Sequence, residues 1–166
     1  MKTALQVSLY GLVMLASSML GFAEGSAFPD VFTIPLAFLA LFVTERWKLF
    51  HLRVRWANVL GLVAFCLAGW ELSSGQIEAR LLSLAHLLVY LTWIVLFMAK
   101  TPRMSWNLCL LSVLHVAIGA VLTSSGLFGL SCVVFLIASI WTLTVFTLSR
   151  TRQNYADEDD VLLGTR

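Results

Sequence analysis

Charge is scarce in this 166-residue chain, and the scarcity names its solvent. Only 12% of the residues are charged and 60% are hydrophobic, with a mean hydropathy of +0.90. A soluble domain carries about 25% charged residues and roughly 45–50% apolar ones. A water-soluble protein of this length has too much surface relative to its volume to hide so many apolar side chains. The bilayer is the expected solvent. Clustered metal ligands are also missing: Cys66, Cys109 and Cys132 each sit inside an apolar run, and none belongs to a CxxC. Structural metal sites need thiolates or imidazoles at close spacing, so the cysteines read as small buried hydrophobes. No GxxxxGK or GxGxxG is present, so phosphate and dinucleotide loops have no support. No basic cluster is interleaved with exposed aromatics, so the net charge of +2 gives no case for nucleic acid.

The apolar runs that are present divide into six. A helix crossing hydrocarbon about 30 Å thick needs roughly 20 residues. The candidate spans are Leu5–Ala23, Ala27–Arg46, Trp56–Leu72, Leu81–Ala99, Met104–Thr123 and Leu127–Leu148. The second is interrupted by Pro29, which suits a helix start, and Pro35, which could kink it. The third is near the lower length limit. The expected fold is an all-α multi-pass bundle over 1–150 with an acidic tail or linker over 151–166. That tail, "RTRQNYADEDDVLLGTR", reads as a solvated, flexible segment. Its "EDDVLL" also matches a short acidic dileucine sorting signal.

The placement of the few charges orients the bundle. Short cytoplasmic loops collect Lys and Arg. Arg46, Lys48, Arg53 and Arg55 lie between the second and third spans, Lys100 and Arg103 between the fourth and fifth, and Arg150 and Arg152 after the sixth. A six-span model puts them all on one side with Lys2. The other side holds Glu24, Asp30, Glu71 and Glu78 with a single base, Arg80. Both termini are therefore expected in the cytoplasm. "KTPR" becomes a cytoplasmic hairpin turn, where Pro102 stops the preceding helix and biases Thr101 toward extended geometry. Trp47, Trp56, Trp70 and Trp106 fall near span ends, the level favoured by indole rings. Two further readings concern the ends of this pattern. Lys2, the first apolar run and "GFA" resemble a cleavable signal peptide, and "ERWKLFHLRVRW" could lie in the interface as an amphipathic helix.

Two ionisable residues fall inside spans, where they are costly and so stand as functional candidates. His86 lies in the fourth span and His115 near the middle of the fifth. Joined by a tight turn, these spans would place the two rings close together. The bland reading is that each imidazole hydrogen-bonds to a facing helix. The alternatives are haem, a metal or a proton relay; no cofactor is required. Small pairs such as Ala57/Gly61, Ala64/Ala68 and His115/Gly119 permit close helix approach.

The segment "LLSLAHLLVYLTWIVLFMAKTPRMSWNLCLLSVLHVAIGAVLTSSGLFGL" resembles the N-terminal membrane domain of bacterial transglutaminase-like membrane proteins of the TgpA type. "LAHLLVYL", "KTPR", "LLS" and "AVLTSS" carry the resemblance, which extends over roughly Trp56 to Arg150. In that family the membrane domain precedes an extracytoplasmic papain-like domain with a Cys, His and Asp triad. No segment here is polar and long enough to be that domain, so no catalytic residue carries over. The resemblance implies a noncatalytic module of the bacterial inner membrane, positioning a fused or partner transglutaminase-like domain. A small transporter or channel, and a haem-binding redox subunit using His86 and His115, are the competing expectations.

Overall fold

The computed structural model describes residues 2–25, 29–46, 52–74, 77–99 and 101–164, with side chains described at all but 2–3, 31, 45–46, 74, 77–79 and 152–164. Among the described residues it is helical, with six α-helices and no strand. They are α1 (Lys2–Glu24), α2 (Thr33–Ala40), α3 (Val54–Ser74), α4 (Ile77–Leu96), α5 (Pro102–Leu122) and α6 (Gly126–Gly164). A 3-10 turn, Asp30–Phe32, leads into α2, and a π-helical stretch, Leu41–Arg46, follows it. An isolated bridge pairs Leu52 with Met98.

Of the six expected spans, four have helices that meet the length and apolarity of a crossing. Four helical stretches are long and apolar enough to cross a membrane: Ala4–Glu24, Val54–Ser73, Pro102–Leu122 and Gly126–Thr151. The apolar parts of the other two, Thr33–Thr44 and Arg80–Leu96, are shorter. Proline explains the second. Pro35 has no N–H to give to residue 31, so the α-helical ladder cannot extend back toward Pro29. The chain makes a 3-10 turn instead, with the Thr33 N–H bonded to the Asp30 carbonyl. Pro35 sits in the first turn of α2, where its missing N–H costs no ladder bond.

The tail also differs from expectation. α6 runs without a break through residue 150 to Gly164, so the acidic segment is helical. A helix already nucleated by many apolar residues extends at one hydrogen bond per residue ordered, without paying nucleation again.

The "KTPR" turn does more than stop α4. Thr101 is extended, with φ −79° and ψ 162°, and its Oγ1 accepts the Met104 N–H at 3.3 Å. It is the N-cap of α5, and Pro102 takes the first helical position, where its fixed φ suits a helix and its missing N–H is not needed. At the other end of the bundle Gly25 closes α1 with φ 67°, a left-handed position that glycine adopts without strain.

α1 is the central helix. It packs on α5, α6 and α2, while α3 packs on α4 and α4 on α5. One cluster joins Leu9, Tyr10 and Val13 of α1 to Ala37, Ala40, Leu96 and Leu108. A second joins Leu12, Ala16 and Met19 to Phe128 and Phe135 of α6, and a third joins Leu20 to Ala85 and Val89 of α4. Small residues set the approach distances. A Cβ at Gly119 would meet the Phe128 ring at 3.0 Å and Ala23 at 3.6 Å, so α1, α5 and α6 converge where an added methyl would press on that ring. Ala57, Ala64 and Ala68 form the buried stripe of α3, and the Ser83 hydroxyl crosses from α4 to donate to the Ala68 carbonyl at 2.9 Å. Gly61, paired with Ala57 in the sequence reading, has open space around it instead.

Candidate functional site

One end of the bundle gathers acids and an imidazole. Ser17 lies on a buried face of α1, about two turns before Glu24, the last residue of that helix. Gly25 turns the chain, which returns at Asp30 to meet Ser17. The Ser17 Oγ is 3.2 Å from Asp30 Oδ1 and 3.3 Å from the Asp30 carbonyl. Asp30 is 1% exposed, and its Oδ2 has no hydrogen-bond partner among the described residues. The side chain of Glu24 is fully buried. Asp30 precedes the apolar helix Thr33–Thr44, so it sits at the end of the bundle and not within a span. Burial, and then the neighbouring Glu24 charge, raise its carboxyl from 3.8 to about 7 against the opposing effect of the Ser17 hydrogen bond.

α3 and α4 complete the group. His86, about two turns into α4, has Nδ1 3.4 Å from Glu71 Oε2 and Nε2 4.0 Å from Glu24 Oε2. Both ring nitrogens thus face carboxylates. Glu71 is the solvent-facing member, its side chain 45% exposed. One turn further along α4, Tyr90 lies 6.5 Å from the His86 ring and stacks edge-on with Trp93 at 5.6 Å. Trp93 Nε1 donates to Thr33 Oγ1 at 2.8 Å. Glu71, His86, Glu24 and Asp30 therefore form a sequence of titratable groups leading from the surface into the bundle.

The expected pairing of the two histidines is not what organises the site. His86 joins α4 to α1 and α3. His115 is 1% exposed and its Nδ1 lies 2.7 Å from the Leu111 carbonyl of its own helix. A ring nitrogen that close to a carbonyl must carry the proton, and His115 Nε2 is buried without a partner among the described residues. His115 shares the buried stripe of α5 with Ser105, Leu108, Ser112 and Gly119. Among the described residues no group of three or more His, Cys, Asp or Glu is arranged to hold a metal ion. Glu24, Asp30 and Glu71 are visible in the sequence as outer-side charges, but only the returning turn at Gly25 and the packing of α3 on α4 bring them to His86. Ser17 carries no signal in an apolar run.

The opposite end carries the bases. The Leu52 N–H donates to the Phe97 carbonyl at 2.9 Å, tying the segment before α3 to the end of α4. Arg53 and Arg55 therefore lie at the same end as Arg103, which follows Thr101, and all three are exposed. Arg150 is exposed on α6. Lys48 and Lys100 lie outside the described residues, as do the side chains of Arg46 and Arg152. Of the interfacial-helix reading of residues 45–56, residues 47–51 lie outside the described residues, and Val54 opens α3. Trp56 and Trp106 are exposed near the basic end and Trp70 near the acidic one.

The chain matches no known family model, no curated protein and no solved structure.

Proposed function

We propose that this is a multi-pass integral membrane protein with its basic end in the cytoplasm, serving as a noncatalytic module that positions a domain outside. The carrying observation is the segregation of charge between the ends: Arg53, Arg55 and Arg103 at one, Glu24, Asp30, Glu71 and His86 at the other. Lys and Arg in short loops favour the cytoplasmic side. α2 and α4, shorter in their apolar parts, complete six crossings with the surrounding bundle and locally thinned lipid, which returns both termini to the cytoplasm. In a background lacking the native cysteines, a cysteine at Ser124 should react with an impermeant thiol reagent in intact cells. One at Thr101 should react only after lysis. The reverse pattern inverts the topology.

The domain being positioned is a transglutaminase-like one of the TgpA type, fused or separate, in the bacterial inner membrane. Support comes from "LAHLLVYL", "KTPR" and "AVLTSS" in the segment beginning at Leu81. Cross-linking from the outer turns in native membranes should capture a papain-like domain; cross-links within this chain alone would remove the reading.

The titratable sequence from Glu71 to Asp30 favours a second reading, a small proton-coupled transporter. Liposomes containing the protein and a pH-sensitive dye test it. Proton entry that is lost in both His86→Gln and Asp30→Asn would establish it, and an impermeable bundle would dismiss it.

A further inference from the structure

An open groove of about 430 Å³ runs along α4 between α2 and α3. Its origin is topological. α2 packs on α1 and α4, and α3 packs on α4, so the two flank the same helix without a substantial interface of their own. The groove is lined by Leu36, Val63 and Leu67 along its length and by Leu52 and Phe97 toward the basic end. Its lining is almost wholly apolar, and Val63 and Leu67 are exposed on α3. The volume lies within the roughly 300–1,000 Å³ typical of ligand pockets.

Charge identifies the occupant. Leu52 and Phe97 are joined by the backbone hydrogen bond that closes that end. The next residue, Arg53, and then Arg55 are exposed. Neither acts as the partner of an acid among the described ion pairs, which lie at the opposite end. An apolar slot ending near exposed guanidinium groups that pair with no acid among the described residues is complementary to an acyl chain carrying an anionic head. Guanidinium binds phosphate through two parallel N–H donors, and basic sites between helices on the cytoplasmic side suit anionic headgroups.

We propose that the groove between α2 and α3 is a binding site for one anionic phospholipid, its acyl chain lying along Val63 and Leu67 and its phosphate held by Arg53 and Arg55. The inference rests on the membrane reading above. The bilayer supplies the lipid at high local concentration, so modest affinity suffices for occupancy. The bound chain covers the exposed face of α3 and couples α3 to α2.

Native mass spectrometry of the purified full chain, exchanged with phosphatidylglycerol or phosphatidylcholine of identical acyl chains, tests the site. One phosphatidylglycerol should be retained in preference to phosphatidylcholine. Arg53→Gln and Arg55→Gln should each lower that preference by about fivefold, the factor corresponding to a base near an anionic surface. Val63→Trp and Leu67→Trp, at exposed positions that leave the α3–α4 contact intact, should displace the chain and lose both lipids. Retention indifferent to the headgroup, retention unchanged in the tryptophan variants, or a lipid-free dimer closing this face would each overturn the proposal. Thiol labelling at Ser124 and Thr101 in the same variants separates the outcomes: an inverted pattern defeats the membrane topology, and a normal pattern without lipid preference defeats only the site.

Discussion

α1 and α3 are both apolar helices of just over twenty residues, yet they hold opposite positions. In an apolar 18-residue stretch of α1, 44% of the residues are buried, against 17% in the corresponding stretch of α3. α1 meets α2, α5 and α6, and α3 meets α4 along a single stripe of alanines. Hydropathy reports the solvent of a helix, and in lipid the outside of a bundle is as apolar as its interior. What separates the two is shape. α1 alternates large and small buried residues, with Ala16 and Ser17 among Leu12, Val13, Met19 and Leu20, and can receive neighbours on several sides. α3 offers small residues on one face and projects Leu62, Phe65 and Trp70 outward.

The largest expected test of that contrast is a truncation on each helix. Leu20 is fully buried and Leu62 is 65% exposed. Leu20→Ala should cost about 2–5 kcal/mol through the cavity it leaves, and Leu62→Ala within about 0.5 kcal/mol, measured by unfolding from mixed micelles with SDS. Equal losses would show that α3 is packed against something in solution. Next come the glycines. Gly119→Ala should cost about 1–3 kcal/mol because the new methyl presses on the Phe128 ring, whereas Gly61→Ala, in open space, should be neutral or slightly stabilising by improved helix propensity.

The end of α1 gives a pH-dependent test that α3 lacks at its own buried stripe. Asp30 binds its proton more tightly in the folded protein than unfolded, with the group raised from 3.8 to about 7. The native state therefore carries the extra proton between these values, so stability should fall as pH rises through that window and be lowest above it. Asp30→Asn should flatten the profile while keeping an acceptor for Ser17; thermal unfolding between pH 4 and 8 checks the slope. The smallest effects belong to the histidines. Removing the interhelical contacts of His86 with Leu should cost roughly 0.6 kcal/mol, and at most about 2. His115→Leu should cost less than that, because its hydrogen bond lies within α5 and a buried nitrogen with no partner among the described residues disappears. SDS unfolding of the two variants side by side gives the order.

Much of the helical layout was legible from periodicity and length. The ends of α3, α4 and α5 fall within about five residues of the expected boundaries, because polar turns interrupt long apolar runs there. α2 was misjudged because hydropathy counts apolar residues and ignores which N–H groups are available: Pro35 shortens the helix whatever its neighbours' polarity. That α6 continues through the acidic tail was not legible, because acidic residues signal solvation and say nothing of whether a preceding helix will propagate. Of the candidate site, His86 could be found from the cost of placing an imidazole in a span. Its partners could not, since Glu24, Asp30 and Glu71 belong to three different elements and look like ordinary loop charges. His115 was read as bridging helices, but an imidazole can satisfy one nitrogen on its own helix and no sequence pattern distinguishes the two.

Composition alone foretold helices apolar enough to cross a membrane, since 60% of the residues are hydrophobic and only 12% are charged. The alternation of apolar runs with Lys- and Arg-bearing turns determined the helix order and the charge of each end, because both are properties of residues close in the chain. Tertiary structure decided which apolar helix became central, where Gly119 sits tightly against the Phe128 ring, and which distant acids surround His86. Those outcomes depend on side-chain shape and on contacts between residues far apart in sequence, and an apolar environment on every side leaves hydrophobicity unable to choose among them.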